Sequence, residues 1–406
     1  MALRQLFTEI ADAIREKDGS TGTIVASTFP EKIRAIPGSS LPEGVHTITL
    51  SADPPEGGTV TGGGVASDGM TVTIKAEANE AGDYKFNGWK EGETDIGGEP
   101  LLTFPVSADR DLTANFIVSP YISGRDWWET TMPSSDDWYS VTYGDGKFVA
   151  VSYKSDIAAY SVDGINWNKS NLPSSVYWYS VTYGNGKFVA IAWNRNIVAH
   201  SDDGITWGTA TLPSSKYWKS ITYGNGKFVA VADGSNVAVY SEDGITWETS
   251  TLPISAGWNS ITYANGKFVA VSEGKIISSE DGITWISFPL PLSKSWQNIA
   301  YGNGKFVAVA YNSNVAIYSE DGITWETSTL PISATWYGIT YGNGKFVAVA
   351  YNTNLAIYSK DGKTWKTATL PSSTRWRSIA FGGYKFIAVA ESSMKSAYSS
   401  EFGPGV

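Results

Sequence analysis

The chain has 406 residues, room for two or three domains, with 13% aromatic residues, 42 glycines and only 17% charged residues, a blend that favours an all-β protein. Its net charge of −10 and pI near 4.9 argue against nucleic acid or an anionic membrane as the main partner, because neither would be attracted. The absence of cysteine excludes disulfides, thiolate metal sites and a cysteine nucleophile.

Residues 1–38 read as a helical anchoring or oligomerisation segment. Leu3, Leu6, Ile10, Ala13 and Lys17 follow 3-4 spacing, with Phe7 and Ile14 beside the stripe and Gly19 at the expected C-cap. Thr28-Phe29-Pro30-Glu31 has capping-box spacing and starts a second helix. Helices this short are marginal alone, so the apolar stripe is expected to bury itself in other copies of the chain or in a larger assembly. The segment has acids at Glu9 and Asp12 and no long apolar core, so it is not read as a signal peptide. Cytoplasmic synthesis without a signal peptide is the expectation. The run "IADAIREKDGSTGTIVASTFPEKIRAI" resembles a segment of tail and tail-fibre proteins of phages that infect Gram-positive gut bacteria. That resemblance implies a virion or tail-like particle as the setting, with other tail proteins as partners through the N-terminus.

Residues 39–44 are a linker by composition, and residues 45–118 read as a small β-domain. "HTITLSA", "MTVTIKAEA" and "LTANFIV" alternate apolar and polar residues as half-buried strands do. The order "GGTVTGGG", "KFNGWKEG", "LTFPVSADRDLTANF" resembles the internalin B-repeat, which implies a compact β-grasp-like spacer. Trp89 and Phe116 are expected in its core.

From about residue 122 to the end, one unit recurs. Its landmark tryptophans are Trp138, Trp178, Trp218, Trp258, Trp296, Trp336 and Trp376, spaced 40 residues apart except for one interval of 38. Such a period, rich in strand formers, signals stacked or circular repeats. In the unit from Trp178, "WYSVTYG", "KFVAIAW", "NIVAHS" and "ITWGTATL" read as four strands. The first hairpin turns at Asn185-Gly186, a pair suited to two positive φ angles, and Pro213 is expected to end the fourth strand. Four antiparallel strands per repeat predict a propeller blade. The seventh unit lacks its fourth strand, while "RDWWETTMPSS" at 125–135 supplies a spare one, with Trp128 in the place of Trp247. The fold class is therefore mainly β: a seven-bladed β-propeller closed by an N-terminal strand, preceded by the small domain and the helical segment.

The turn Ser-x-Asp-Gly-x-Thr-Trp resembles the Asp-box of sialidase-type propellers, one residue short between Asp and Gly. It stands at Asp163, Asp203, Asp243, Asp281, Asp321 and Asp361, with Asn166 replacing the threonine in the first. The resemblance implies a structural turn away from any active site. Sialidases need several arginines and a tyrosine nucleophile with a carboxylate partner. The propeller has only Arg125, Arg195, Arg375 and Arg377, and the chain's two histidines, His46 and His200, fall in different domains. Asp136-Asp137 reads as a solvated loop. No catalytic residue, metal site or cofactor is expected, and the protein is read as not an enzyme.

Copies of the repeat can be compared with one another. The "YGNGK" and Ser-x-Asp-Gly turns are nearly constant and share one face by strand order. The opposite face, made by the turns between second and third strands and by the links between units, varies. Tyr153, Tyr177, Trp193, Arg195, Tyr217, Tyr311 and Tyr351 are the candidate ligand-binding residues there, because tyrosine and tryptophan present apolar faces with polar edges. The expected function is a phage or tail-like-particle receptor-binding protein whose propeller binds a bacterial cell-surface glycan or protein, as a homo-oligomer, without nucleic acid or membrane insertion. Alternatives are a bacterial surface adhesin, a sialidase-like glycoside hydrolase and a purely structural tail component.

Overall fold

The computed structural model describes residues 11–12, 44–79, 84–118 and 123–401. The expected N-terminal helices and the linker lie outside these residues, apart from Ala11, Asp12 and Gly44. The chain divides into two compact units, Met1–Pro120 and Tyr121–Val406. No helix among the described residues is long and apolar enough to cross a membrane.

Among the described residues of the first unit, eight strands make two sheets: β1 (Val45–Asp53), β2 (Gly58–Thr61), β3 (Gly64–Ser67), β4 (Thr71–Ala78), β5 (Tyr84–Glu91), β6 (Thr94–Gly97), β7 (Leu101–Pro105) and β8 (Arg110–Val118). One sheet has the order β3-β1-β8-β5-β6 and the other β2-β4-β7, with β1 and β8 parallel. The alternation read in the sequence sends Ile48, Ile74, Leu112 and Phe116 inward around a fully buried Trp89. Phe86 meets Trp89 edge-on at 5.8 Å and Phe116 at 5.9 Å, the geometry that ring quadrupoles favour.

The second unit is almost entirely antiparallel sheet. Its simplest repeats are four-stranded, as at Trp296–Gly302, Lys305–Ala310, Ser313–Ser319 and Glu326–Ala334. Each landmark tryptophan is fully buried. The apolar clusters join neighbours: Val229 and Val231 of one repeat pack with Trp258, Phe268 and Trp285 of the next. Side-by-side first strands are tied by a recurring bond. The Val181 N–H donates to Ser140 Oγ (3.1 Å), the Ile261 N–H to Ser220 Oγ (3.1 Å) and, from last repeat to first, the Val141 N–H to Ser378 Oγ (3.2 Å).

The first hairpin turns as its residues demand, with Asn185 at φ 47° and Gly186 at 74°. Two expectations need correcting. Proline does not end the fourth strand: Gly208–Gly224 runs through Pro213 into the next repeat. The ladder skips from Thr211 to Lys216, so Pro213 sits at an irregularity where no N–H is required. Nor is Asp136-Asp137 a solvated loop. Both lie within the strand Trp128–Gly144, where Asp136 Oδ1 accepts from Ser152 Oγ and Asp137 Oδ1 from Ser392 Oγ at 2.6 Å.

The spare N-terminal strand does pair with the last one. Trp128–Thr131 lies antiparallel to Lys395–Tyr398. Its register differs from the reading above by one residue. Trp128 opposes Tyr398 as Glu248 opposes Tyr240, so Trp127, not Trp128, occupies the place of Trp247. Both Trp127 and Trp247 are 8% exposed. The match extends into the turn: the Gly124 N–H donates to Ser399 Oγ (2.6 Å) as the Gly244 N–H does to Ser241 Oγ (2.8 Å), and Gly124 has φ 84°. The seventh Ser-x-x-Gly turn is thus assembled from two chain segments about 275 residues apart.

Candidate functional site

The two constant turns meet, as strand order requires. Lys187, after the Asn-Gly turn, pairs with Asp202 at 2.5 Å, and Asn225 Nδ2 donates to the carbonyl of Glu280 at 3.1 Å. In each Ser-x-Asp-Gly turn the carboxylate gathers donors: Asp203 Oδ1 accepts from Ser201 Oγ (2.9 Å) and from the N–H groups of Ile205 (2.8 Å) and Thr206 (2.7 Å). These bonds, led by the Thr206 N–H, bring the Asp203 carboxyl down to about 2. At Asp163 burial works the other way, yet the Asn166 and Ile165 donors still bring it to about 2. The carboxylates are spent on holding turns.

The opposite face is built from three side-chain tiers. The outer tier precedes each landmark tryptophan, the middle tier begins each turn between second and third strands, and the inner tier directly follows the tryptophan. Register brings them into line: Tyr153 pairs with both Asp137 and Tyr177, and Trp193 with Tyr217. Two repeats consequently carry aromatic rows. Tyr139 stacks on Tyr153 (4.3 Å between centroids), which leans on Tyr177 (4.8 Å). Tyr179 stacks on Trp193 (5.2 Å), which leans on Tyr217 (4.8 Å). Across the face Tyr337 contacts Tyr351 at 5.0 Å and Tyr311 at 6.5 Å. Tyr217 is 48% and Tyr311 51% exposed, so the second row and the Tyr337 group reach solvent, while Tyr139, Tyr153 and Tyr177 are half-buried.

Where the first strands converge, inner-tier residues of all seven repeats line one cavity: Tyr139, Tyr179, Lys219, Asn259, Gln297, Tyr337 and Arg377. Arg377 lies 4.2 Å over the ring of Tyr139 and 4.2 Å over that of Tyr337, and donates to the Tyr179 hydroxyl at 3.2 Å. Burial pushes the Tyr139 phenol far above its ordinary range, so it stays neutral near pH 7. Lys219 bonds Asn259 Oδ1 (2.8 Å) and pairs with Asp233 (2.9 Å).

Of the seven residues singled out in the sequence, Tyr153, Tyr177, Trp193 and Tyr217 join the two aromatic rows, and Tyr311 and Tyr351 meet Tyr337. Arg195 does neither: it is exposed and donates to the carbonyl of its neighbour Asn194 at 2.8 Å. The inner tier went unread. Its signal was available, since the position after each tryptophan runs Tyr, Tyr, Lys, Asn, Gln, Tyr, Arg between nearly constant neighbours. No cluster of potential metal ligands occurs among the described residues.

Two family models match parts of the chain: the DUF6242 beta propeller domain over residues 209–341 and the divergent InlB B-repeat domain over residues 48–120. The second unit has a β-propeller fold. Streptogramin B lyase matches with a TM-score of 0.62 at 14% identity, over 67% of this chain and 96% of its own. Virginiamycin B lyase from Staphylococcus aureus gives 0.62 at 17%, over 67% and 98%. YCF48 bound to D1 peptide gives 0.57 at 14%, over 69% and 99%. These likenesses concern the fold. No curated protein matches in sequence.

Proposed function

We propose that this protein is a non-enzymatic receptor-binding protein of a phage or tail-like particle, whose propeller holds a bacterial surface ligand, a glycan in the first instance, on its aromatic face. The observation that carries the reading is the set of aromatic rows ending at one cavity, built from the positions that vary between otherwise near-identical repeats. A scaffold needs the constant turns; it has no need of Tyr153, Trp193 and Tyr217 in file. Flat amphipathic rings at a solvent-exposed mouth suit the apolar faces and hydroxyl edges of sugars. In this reading seven blades close into a ring, an arrangement supported by the Trp128–Thr131 strand pairing, the Val141–Ser378 bond and a cavity bordered by every repeat. The same geometry disfavours hydrolysis: the cavity wall has no carboxylate, and the single histidine of this unit, His200, is not part of it. Many copies on one particle would make weak single contacts sufficient. A bacterial surface adhesin is the second reading, favoured by the InlB B-repeat match.

The test is binding of the full-length chain to bacterial envelope preparations and to a glycan array. Retention is expected, with Trp193→Ala or Tyr153→Ala weakening it about 30-fold, as for an aromatic anchor worth roughly 2 kcal/mol. Asn225→Ala, on the constant face, should bind as the parent does. Absence of binding to every envelope preparation would sink the reading, and release of reducing sugar would restore the hydrolase.

A further inference from the structure

The cavity has a chemistry of its own. Its wall contains two cations, Lys219 and Arg377, and the side-chain amides of Asn259, Gln297 and Asn298, but no acid, in a chain with 40 acids against 30 bases. Each cation is met by one middle-tier carboxylate: Lys219 by Asp233 at 2.9 Å and Arg377 by Glu391 at 4.0 Å. Neither carboxylate borders the cavity, so its charged lining is cationic, while the amide nitrogens of Asn259 and Gln297 are already engaged by the Trp296 carbonyl and by Ser295.

Arg377 is also positioned before any ligand arrives. Clamped between the rings of Tyr139 and Tyr337 and bonded to Tyr179, it has little rotamer freedom left to lose on binding. A planar guanidinium presents paired N–H groups that match a carboxylate. The serine hydroxyls add to this. Ser140, Ser220 and Ser378 accept backbone N–H groups, which leaves each hydroxyl its own proton to donate.

Size narrows the occupant. The cavity volume is about 80 Å³, small enough to favour one compact group over a whole sugar. A ligand must lie across the mouth and send one small group inward. We infer that the group is a carboxylate carried by an acidic sugar, with the carboxylate between Lys219 and Arg377 and the sugar ring against the aromatic rows. This deepens the surface-glycan reading above and rests on it. The aromatic rows favour a sugar acid over the carboxylate of a peptide, because they place flat apolar faces beside the donors.

Calorimetric titration of the full-length protein would use sodium glucuronate, methyl glucuronate ester, glucose, N-acetylglycine and inorganic phosphate. Glucuronate is expected to bind at least ten-fold tighter than its ester and than glucose. Lys219→Met should lower glucuronate affinity at least ten-fold, and Arg377→Lys should do the same by replacing the planar fork with a point charge. Arg195→Ala should change nothing. Should Arg377→Lys fail to fold, Lys219→Met decides the matter alone. Equal binding of acid and ester overturns the inference, as does tighter binding of N-acetylglycine, which indicates a peptide carboxylate, or of phosphate, which indicates a general anion site. Retention of neutral glycans by the aromatic rows, with no preference for acids, would leave the surface-binding function standing and remove only the carboxylate.

Discussion

Tyr384 shows what a single departure from the repeat costs. In the other repeats the first hairpin turns on Asn-Gly or Asp-Gly, with both residues in the left-handed region. In the seventh the pair is Gly383-Tyr384, and Tyr384 has φ 61° where the others place glycine. A residue with a Cβ in that region loses about 1 kcal/mol against glycine through contact with the carbonyl oxygen. Tyr384 is 71% exposed, so little burial offsets the strain. Tyr384→Gly is expected to stabilise the propeller by about 1 kcal/mol, read as a higher denaturant midpoint at unchanged slope. A lower midpoint would mean that the ring contributes contacts worth more than the backbone strain. The same kind of comparison between copies, one position at a time, would have exposed the inner tier. A comparison confined to loops passes over it. Yet a strand that borders a cavity alternates between wall and lumen, and Tyr139 or Lys219 on such a strand is as free to vary as any loop residue.

At the scale of elements, hairpins and strands were legible because Asn-Gly and period-2 alternation act locally. The closing strand was legible in kind and wrong in register. The letters Trp-Glu-Thr at 128–130 repeat those at 247–249, but the distance to the following proline does not: Pro133 lies five residues after Trp128, whereas Pro253 lies six after Trp247. Burial chose the register that the distance implies. Trp127 enters a cluster with Val347, Trp376 and Phe386, and its indole N–H donates to the carbonyl of Gly124 at 3.0 Å. Trp128 is only half-buried, 5.5 Å from Tyr398. Trp127→Ala should therefore cost about 3–5 kcal/mol, the usual range for deleting a buried large aromatic, and Trp128→Ala clearly less. Thermal melts of the two variants rank them directly. A larger loss for Trp128→Ala would reinstate the register suggested by the letters. Residues 124–127 also explain why the missing turn is no defect: Gly124 supplies the N–H that Ser399 needs, and Ser123 stands where the other turns carry aspartate.

For the whole propeller, that last substitution leaves six aspartate turns to set its response to acid. Asp163, Asp203, Asp243, Asp281 and Asp321 are each held down to about 2, and Asp361 is lowered as well. An unfolded aspartate titrates near 3.9. The folded pKa is the lower one, so between about pH 4 and pH 2 the unfolded chain binds more protons than the folded chain. Stability from these turns is thus fully present above about pH 4 and is lost as pH falls towards 2. Asp203, Asp243 and Asp321 are exposed and Asp163, Asp281 and Asp361 half-buried, so solvent screening keeps each contribution small, and only their repetition makes the sum measurable. The melting temperature is expected to change little between pH 7 and pH 5 from this source and to fall steeply below pH 4. Replacing Asp203, Asp243 and Asp281 together by asparagine separates charge from shape, since asparagine keeps an acceptor oxygen for the turn N–H groups. The triple variant should melt lower than the parent at pH 7, and its melting temperature should fall less between pH 5 and pH 2.5, so that the two curves converge in acid. Parallel curves would place the acid response in other carboxylates and leave these turns as neutral fasteners.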